Sequence, residues 1–344
     1  MKHIIEAIPV GPPLQAKIVR VGEDCTGQRL DNFLLRTLKG VPKTHVYRII
    51  RSGEVRVNKG RASADSRVAA GDAVRVPPVR VPERVAHKAQ EMAKGAICKS
   101  ARAFPILFED EWLLALDKPA GVAVHGGSGV SFGVIEQLRL ARPQARFLEL
   151  VHRLDRETSG ILLVAKKGSA LKKLQDQFRE RETGKTYLAL AVGQWPDGKK
   201  VLDKPLYKYL IGANGGAGAG ERRVRVVSGD DPNGRQSLTL VKVRQVYPAG
   251  FSLLEVTLKT GRTHQIRVHL ASEGYPIAGD DKYGDFELNK AVRRSATGPG
   301  LERMFLHAWR LQFNHPSSGE RIELTAELPP ELQAFVTHVE RNPA

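Results

Sequence analysis

The run Ile161-Leu162-Leu163-Val164-Ala165 constrains the fold of this 344-residue chain more than any other segment. Five consecutive apolar residues between Gly160 and Lys166-Lys167 predict a strand covered on both faces of a sheet. The segment before it, His152-Arg153-Leu154-Asp155-Arg156-Glu157-Thr158-Ser159-Gly160, is then expected at the edge of that sheet, where sites are commonly built. If this segment is extended, Arg153 and Asp155 point the same way, because side chains alternate along a strand. A carboxylate flanked by Arg153 and Arg156 is available as an anionic nucleophile or an electrostatic partner. Asp, Ser, Thr and Gly are equally ordinary turn residues, so the local sequence also admits a capped turn beside surface cations.

Charge narrows the partner. Lys and Arg number 54 against 37 Asp and Glu, a formal net charge of +17. Such an excess attracts polyanions, which makes nucleic acid the first partner to consider and an anionic membrane surface the second. The two cysteines, Cys25 and Cys98, have no paired spacing, which argues against a zinc knuckle or a disulfide framework and suits a reducing cytoplasm. The apolar start is interrupted by Glu6 and Pro9, too short for a signal peptide, and no stretch approaches the roughly 20 apolar residues of a membrane span. With no long exposed apolar stripe, a monomer without an obligate protein partner is the expectation.

Three regions are expected: a basic module at 17–80, a linker at 81–104 and a large domain at 105–344. In the first, Leu30, Phe33, Leu34 and Leu38, then Val46, Ile49 and Ile50, recur at helical spacing and predict two short amphipathic helices ending near Ser52-Gly53. Their polar faces carry Arg29, Arg36, Lys43, Arg48 and Arg51. Glu54 to Asn58, with Arg56, and Ala73 to Val76 read as short strands. Charge runs often merely solvate a helix face, yet here cations occupy both helices and the following strand, as an RNA-docking surface requires.

The large domain reads as mixed α+β, with strands outnumbering helices. Apolar segments at Ile106 to Asp110 and Trp112 to Gly121 resemble a hairpin, and strands are expected at Thr186 to Val192, Leu238 to Val246, Phe251 to Lys259 and Phe305 to Phe313. Helices are expected near Val134 to Arg142, Ser169 to Arg181, Thr263 to Ala271 and Glu331 to Val336.

In Lys185-Thr186-Tyr187-Leu188-Ala189-Leu190-Ala191-Val192 alternation puts Tyr187 on a strand face with small neighbours. A tyrosine there can stack on a nucleobase and exchange a proton, although a packing tyrosine is the plainer local reading. In Thr260-Gly261-Arg262-Thr263-His264-Gln265-Ile266-Arg267-Val268-His269, helical spacing brings His264 and Arg267 to one face, and Arg267 is the expected bidentate partner of Asp155. His264 and His269 lack the i, i+4 spacing of a helical zinc pair, so no metal site is expected. Gly212 to Gly220 reads as a surface insertion, whereas the amides of Gly126-Gly127-Ser128-Gly129 precede a helix and suit a phosphate. Glu149 and Glu157 read as surface or capping residues, which leaves one carboxylate and one tyrosine rather than the carboxylate pair of a glycosidase.

These three strings resemble the HRLD-x-x-T-S-G, Lys-x-Tyr and T-G-R-T-H-Q-I-R-V-H motifs of the RluA-type pseudouridine synthases. The pattern Arg29-Leu30-Asp31-Asn32-Phe33-Leu34, with Gly53 to Lys59 and Ala70-Gly71-Asp72, resembles an S-four-like (αL-motif) RNA-binding domain. The resemblance implies a mainly antiparallel catalytic domain that isomerises uridine in RNA without a cofactor. It assigns catalysis to Asp155, base stacking to Tyr187 and orientation of Asp155 to Arg267, with Arg153 filling the gap left by a flipped uridine. Arg262, His264 and the N-terminal cations would contact RNA. Leu38 to Lys43, Val76 to Val81 and Ala123 to Gly133 resemble a branch acting on several uridines of bacterial large-subunit ribosomal RNA, so that RNA or its assembly intermediates are the expected partner. A non-catalytic ribosome-assembly protein on the same fold is the alternative.

Overall fold

The computed structural model describes residues 15–38, 41, 43–79, 104–126, 133–211, 221–294 and 298–342. The chain divides into two compact units, Met1–Ala101 and Arg102–Ala344. All of the expected linker but Phe104, and the glycine-rich 212–220, lie outside the described residues.

In the first unit the apolar stripes bury Leu30, Phe33 and Leu34 from α1 (Leu30–Thr37), and Val46, Ile49 and Ile50 from α2 (Lys43–Arg51). Val55, Val74 and Val76 complete that core from the sheet side. The sheet runs β1-β4-β2-β3, all antiparallel, with β1 at Lys17–Arg20, β2 at Arg56–Val57, β3 at Gly60–Arg61 and β4 at Ala73–Val76. The strand expected at Glu54 to Asn58 contracts to two residues because Asn58 and Lys59 take left-handed conformations, φ 50° and 67°, and turn the chain. β1 shows no alternation and is defined by its pairing to β4 rather than by its own pattern.

The second unit is built on a ten-stranded sheet. Its path begins with β10 (Val201–Asp203), β13 (Leu238–Tyr247), β14 (Phe251–Leu258), β9 (Gly184–Val192) and β15 (Leu306–Asn314). It continues through β8 (Ser159–Ala165), β6 (Leu113–Lys118) and β5 (Ile106–Glu109), while β7 (Glu149–Leu150) joins β8 and β16 (Arg321–Thr325) joins β15. Every pairing is antiparallel except β15 with β8. The fold is therefore α+β, as the strand pattern implied, and mainly antiparallel, as the resemblance implied.

All seven residues of β8 are buried, and the strand lies inside the sheet. Ile161, Leu163 and Ala165 pack with Ala170 and Leu174 of α4 (Gly168–Glu180), while Leu162 and Val164 pack with Val134, Ile135 and Leu138 of α3 (Val134–Ala141). Both faces are covered, as the apolar run demanded. The segment before β8 thus enters an interior strand from its end rather than lining a sheet edge.

Gly160 sits at φ 108° opposite Ala308, and a Cβ there would lie 2.3 Å from the Ala308 carbonyl oxygen. Only glycine permits β8 and β15 to approach this closely. The sequence pattern pointed to none of β1, β3, β7, β10 and β16, nor to β11 (Leu206–Ile211) and β12 (Glu221–Val226), which form a separate hairpin, nor to the helix Phe286–Arg293.

Candidate active site

The loop carrying Asp155 is not extended. It bends from Val151 to His152 and turns after Asp155, whose carbonyl accepts from the Thr158 amide at 3.2 Å. Several buried groups hold it. His152 Nε2 accepts from the Leu163 amide of β8 at 3.1 Å, and its ring stacks on Phe178 at 4.8 Å. Burial pushes the His152 imidazole down to about 4, so it is the neutral acceptor that this bond requires.

Lys118, fully buried at the end of β6, donates to the carbonyls of Pro119, Val122 and Arg156 at 2.8, 2.9 and 3.1 Å. It thereby ties the loop to the turn after β6. At the loop's end Ser159 Oγ meets His307 Nδ1 at 2.9 Å and accepts from Arg303 at 2.8 Å. His307 Nε2 lies 3.1 Å from the Ala326 carbonyl and must carry the proton, which leaves Nδ1 to accept from Ser159.

Arg153, Asp155, Tyr187, Arg262, His264 and Arg267 line one cavity of about 240 Å³. The three separate motifs therefore converge. Asp155, with its side chain 21% exposed, receives one hydrogen bond from Arg267 Nη1 at 3.3 Å and has His264 Nε2 at 3.8 Å. The expected bidentate pair exists, but its carboxylate is Asp280. Arg267 Nε and Nη2 each meet Asp280 at 2.7 Å, leaving Nη1 for Asp155.

Burial opposes the charge on Asp280, yet Arg267 and the amides of Lys282 and Tyr283, at 2.8 and 3.1 Å, hold its carboxyl below the usual range. Asp280 makes a rigid mount for an arginine that presents a single donor to Asp155.

His264 is a left-handed N-cap, φ 54°, so the helix α5 (Gln265–Ser272) starts two residues later than its spacing implied. Its Nδ1 meets the Tyr283 hydroxyl at 2.8 Å. Tyr187 sits on the wall of the cavity. Burial first, and the charge of Asp155 second, push its hydroxyl well above the ordinary tyrosine range, so the phenol is protonated at neutral pH.

Arg153 and Arg262 are exposed where they line the cavity, and Arg262 Nε also donates to the Gln236 carbonyl at 3.3 Å. His269 bonds Thr239 and the Lys204 carbonyl, and among the described residues no cluster of three or more His, Cys, Asp or Glu is placed to hold a metal. Glu149 pairs with Arg139, and Glu157 with Arg156. The anticipated phosphate cradle falls mostly outside the described residues; its Gly126 amide, with that of Gly133, is taken by the Glu136 carboxylate.

In the first unit Arg29 forks onto Asp31 at 3.2 and 2.9 Å, so its charge is partly spent inside the unit. Arg36 approaches Cys25 Sγ at 3.6 Å, and Arg48 meets His45 and Glu54. Arg48 and Arg51 line a hollow with Thr44, Tyr47 and Ser52. Arg56 is paired in register with both Arg61 and Arg75, three like charges side by side across a small sheet. Lys43 opens α2.

The sequence reading missed Asp280, Lys118, Ser159, His307 and Arg303 as supports of the site. Only the Lys118-Pro119-Ala120-Gly121 turn, with its lone cation after an apolar strand, offered a local signal.

Comparison with known proteins agrees with this geometry. The profile of the RNA pseudouridylate synthase family matches residues 112–272, and that of the S4 domain matches 28–74. The chain is 49% identical to the ribosomal large subunit pseudouridine synthase C of Yersinia pestis, over 95% of this chain and 96% of that protein. It is 51% identical to the protein of that name from Escherichia coli (strain K12), over 92% and 94%. Among solved structures, human RNA pseudouridylate synthase domain containing 4 is similar with a TM-score of 0.54 and 26% identity, covering 74% of this chain and 97% of that one. No helix among the described residues is long and apolar enough to cross a membrane. With an S4 domain ahead of a mainly antiparallel domain that gathers all three motifs at one cavity, this chain belongs to the RNA pseudouridylate synthase family and is a pseudouridine synthase.

Proposed function

We propose that this enzyme isomerises uridines of bacterial large-subunit ribosomal RNA, with Asp155 as the attacking carboxylate. The observation that carries the reading is Asp155 itself, partly exposed in a cavity of about 240 Å³, held by one donor of a rigidly mounted arginine and faced by Tyr187. The names of the relatives support the choice of RNA. The N1–C1′ bond of uridine breaks, the held base rotates, and a C5–C1′ bond forms, while C5 loses a proton and N1 gains one. Electrons balance without a redox partner, so the reaction calls for no cofactor.

Arg267 orients Asp155, and Tyr187 stacks on the uracil. Once Asp155 has spent its charge in bond formation, one of the two causes raising the Tyr187 hydroxyl is gone, and the phenol becomes a better relay for the C5 proton. Extruding the uridine costs a few kcal/mol of lost stacking, which Arg153 offsets by filling the gap. Arg262 and His264 meet the flanking strand, and the module 17–80 captures RNA through Arg29, Arg36, Lys43, Arg48, Arg51 and Arg56. The reading carries with it a cytoplasmic monomer that works on ribosomal RNA or its assembly intermediates.

The test is tritium release from RNA labelled at uracil C5, with large-subunit ribosomal RNA and a transfer RNA as competitors. Release from ribosomal RNA by the wild type, abolished in Asp155→Asn with affinity within a few-fold of wild type, is the expected result. Preference for the transfer RNA, or turnover by Asp155→Asn, overturns the reading.

A further inference from the structure

Lys185 stands two residues before Tyr187, on the same face of β9, and lines the same cavity as Asp155. It is only 9% exposed. Among the described residues its ammonium donates to no carbonyl, hydroxyl or carboxylate. Its near neighbours are the Phe178 ring, 5.5 Å from Nζ to the centroid, and Gly261, where an added Cβ would stand 3.9 Å from Nζ. The ammonium keeps contact with solvent in the cavity while its stem is buried, so its donors are available to a ligand. Lys118, wholly buried where Lys185 is 9% exposed, makes the contrast, since this fold satisfies that ammonium with three carbonyls.

We propose that Lys185 anchors a phosphate subsite, its ammonium receiving a backbone phosphate of the RNA as the target uridine enters the cavity. The inference rests on the uridine reading above and adds a contact to it. Charge, spacing and access all lead to phosphate. The cavity that Lys185 lines is also lined by the exposed Arg153 and Arg262, cations that draw in a polyanion. Asp155 is the only acidic side chain among the described residues lining the cavity, and it is engaged by Arg267 and His264 rather than by Lys185.

Spacing agrees as well. Two residues along a strand span about 7 Å, which sets the ammonium beside the backbone of a nucleotide whose base stacks on Tyr187. Gly261, lacking a side chain, leaves the approach to Nζ open. Burial and the nearby Arg181 both disfavour the bare ammonium, and a phosphate relieves both.

The experiment measures equilibrium binding of a ribosomal RNA fragment to the full-length protein across salt concentrations, for Lys185→Gln, Lys185→Arg and Lys185→Met. Lys185→Gln is expected to bind about tenfold more weakly. Its slope of log affinity against log salt is expected to shrink by about 0.7, the share of one single-strand phosphate. Lys185→Arg should keep the wild-type slope. Lys185→Met should bind as weakly as Lys185→Gln yet melt no lower than wild type, because a buried charge is gone.

Methylphosphonates placed one at a time around the target uridine should include one that weakens wild type about tenfold and leaves Lys185→Gln unchanged. An unchanged salt slope in Lys185→Gln, or an equal loss in Lys185→Arg, overturns the subsite. A variant that instead loses discrimination between uridine and 4-thiouridine assigns the ammonium to the base and overturns it too. These are binding readouts, so failure of the synthase reading itself, seen as no tritium release by wild type, stays distinguishable.

Discussion

Two arginine–aspartate forks organise the two units of this enzyme, and they are built in opposite senses. In the catalytic unit Arg267 and Asp280 are both buried, and the arginine is the shared member: two nitrogens grip Asp280 and the third reaches Asp155. In the N-terminal unit Arg29 is 44% exposed and the carboxylate is shared: Asp31 accepts from Arg29, from the Tyr47 hydroxyl at 2.7 Å and from the Asn32 amide at 2.8 Å. A buried fork gives one donor a fixed direction at a reacting carboxylate, as chemistry requires. A half-exposed fork leaves a cation and an aromatic ring at a surface, where they can adjust to a ribose–phosphate strand. Burial, rather than residue type, separates the two uses.

The contrast breaks most sharply at Asp280. Asp280→Ala leaves the Arg267 charge buried without its main partner, an expected loss of about 3–5 kcal/mol of stability in denaturant unfolding together with collapse of tritium release. A variant that unfolds like wild type would show that Asp155 alone suffices to hold Arg267.

Acid gives the next largest effect. His152 and His307 hold their neutral forms, each with a folded value of about 4 against an ordinary 6.5. As pH falls the unfolded chain takes up these protons first, so the stability present above pH 6.5 drains away between about 6.5 and 4, by up to about 3 kcal/mol for each residue. His152→Gln, whose amide can replace the Nε2 acceptor, should flatten that part of the stability profile; an unaltered profile would deny the loop its imidazole support.

Asp31→Ala releases Arg29 and Tyr47 together. It should lower RNA affinity and the melting of the N-terminal unit while leaving the tritium-release rate at saturating RNA unchanged, and a fall in that saturated rate would erase the distinction between the forks. The smallest effects belong to Arg48→Gln and Arg51→Gln, each expected to reduce the salt slope of RNA binding by about one. No change in slope would remove that hollow from the docking surface.

Local pattern carried much of this protein. The doubly covered β8 and the amphipathic α1 and α2 each follow from residues a few positions apart, because one strand or helix turn decides which side chains share a face. Locality left Asp155 open between a site and a capped turn, and Tyr187 between stacking and packing; the resemblance of the three strings to the family's motifs singled them out with Arg267. Pairing was beyond local pattern. Arg267 meets Asp155 across 112 positions, and Ser159 meets His307 across 148, contacts that arise only when β14, β9, β15 and β8 stand side by side. The identity of the carboxylate gripped by Arg267 was settled in the same way, by the Gly279–Asp280 turn folding under α5 to supply a buried acceptor with two backbone amides. Periodicity states which faces exist; which distant faces meet, and therefore which charge ends up beside which, is set by packing the sheet.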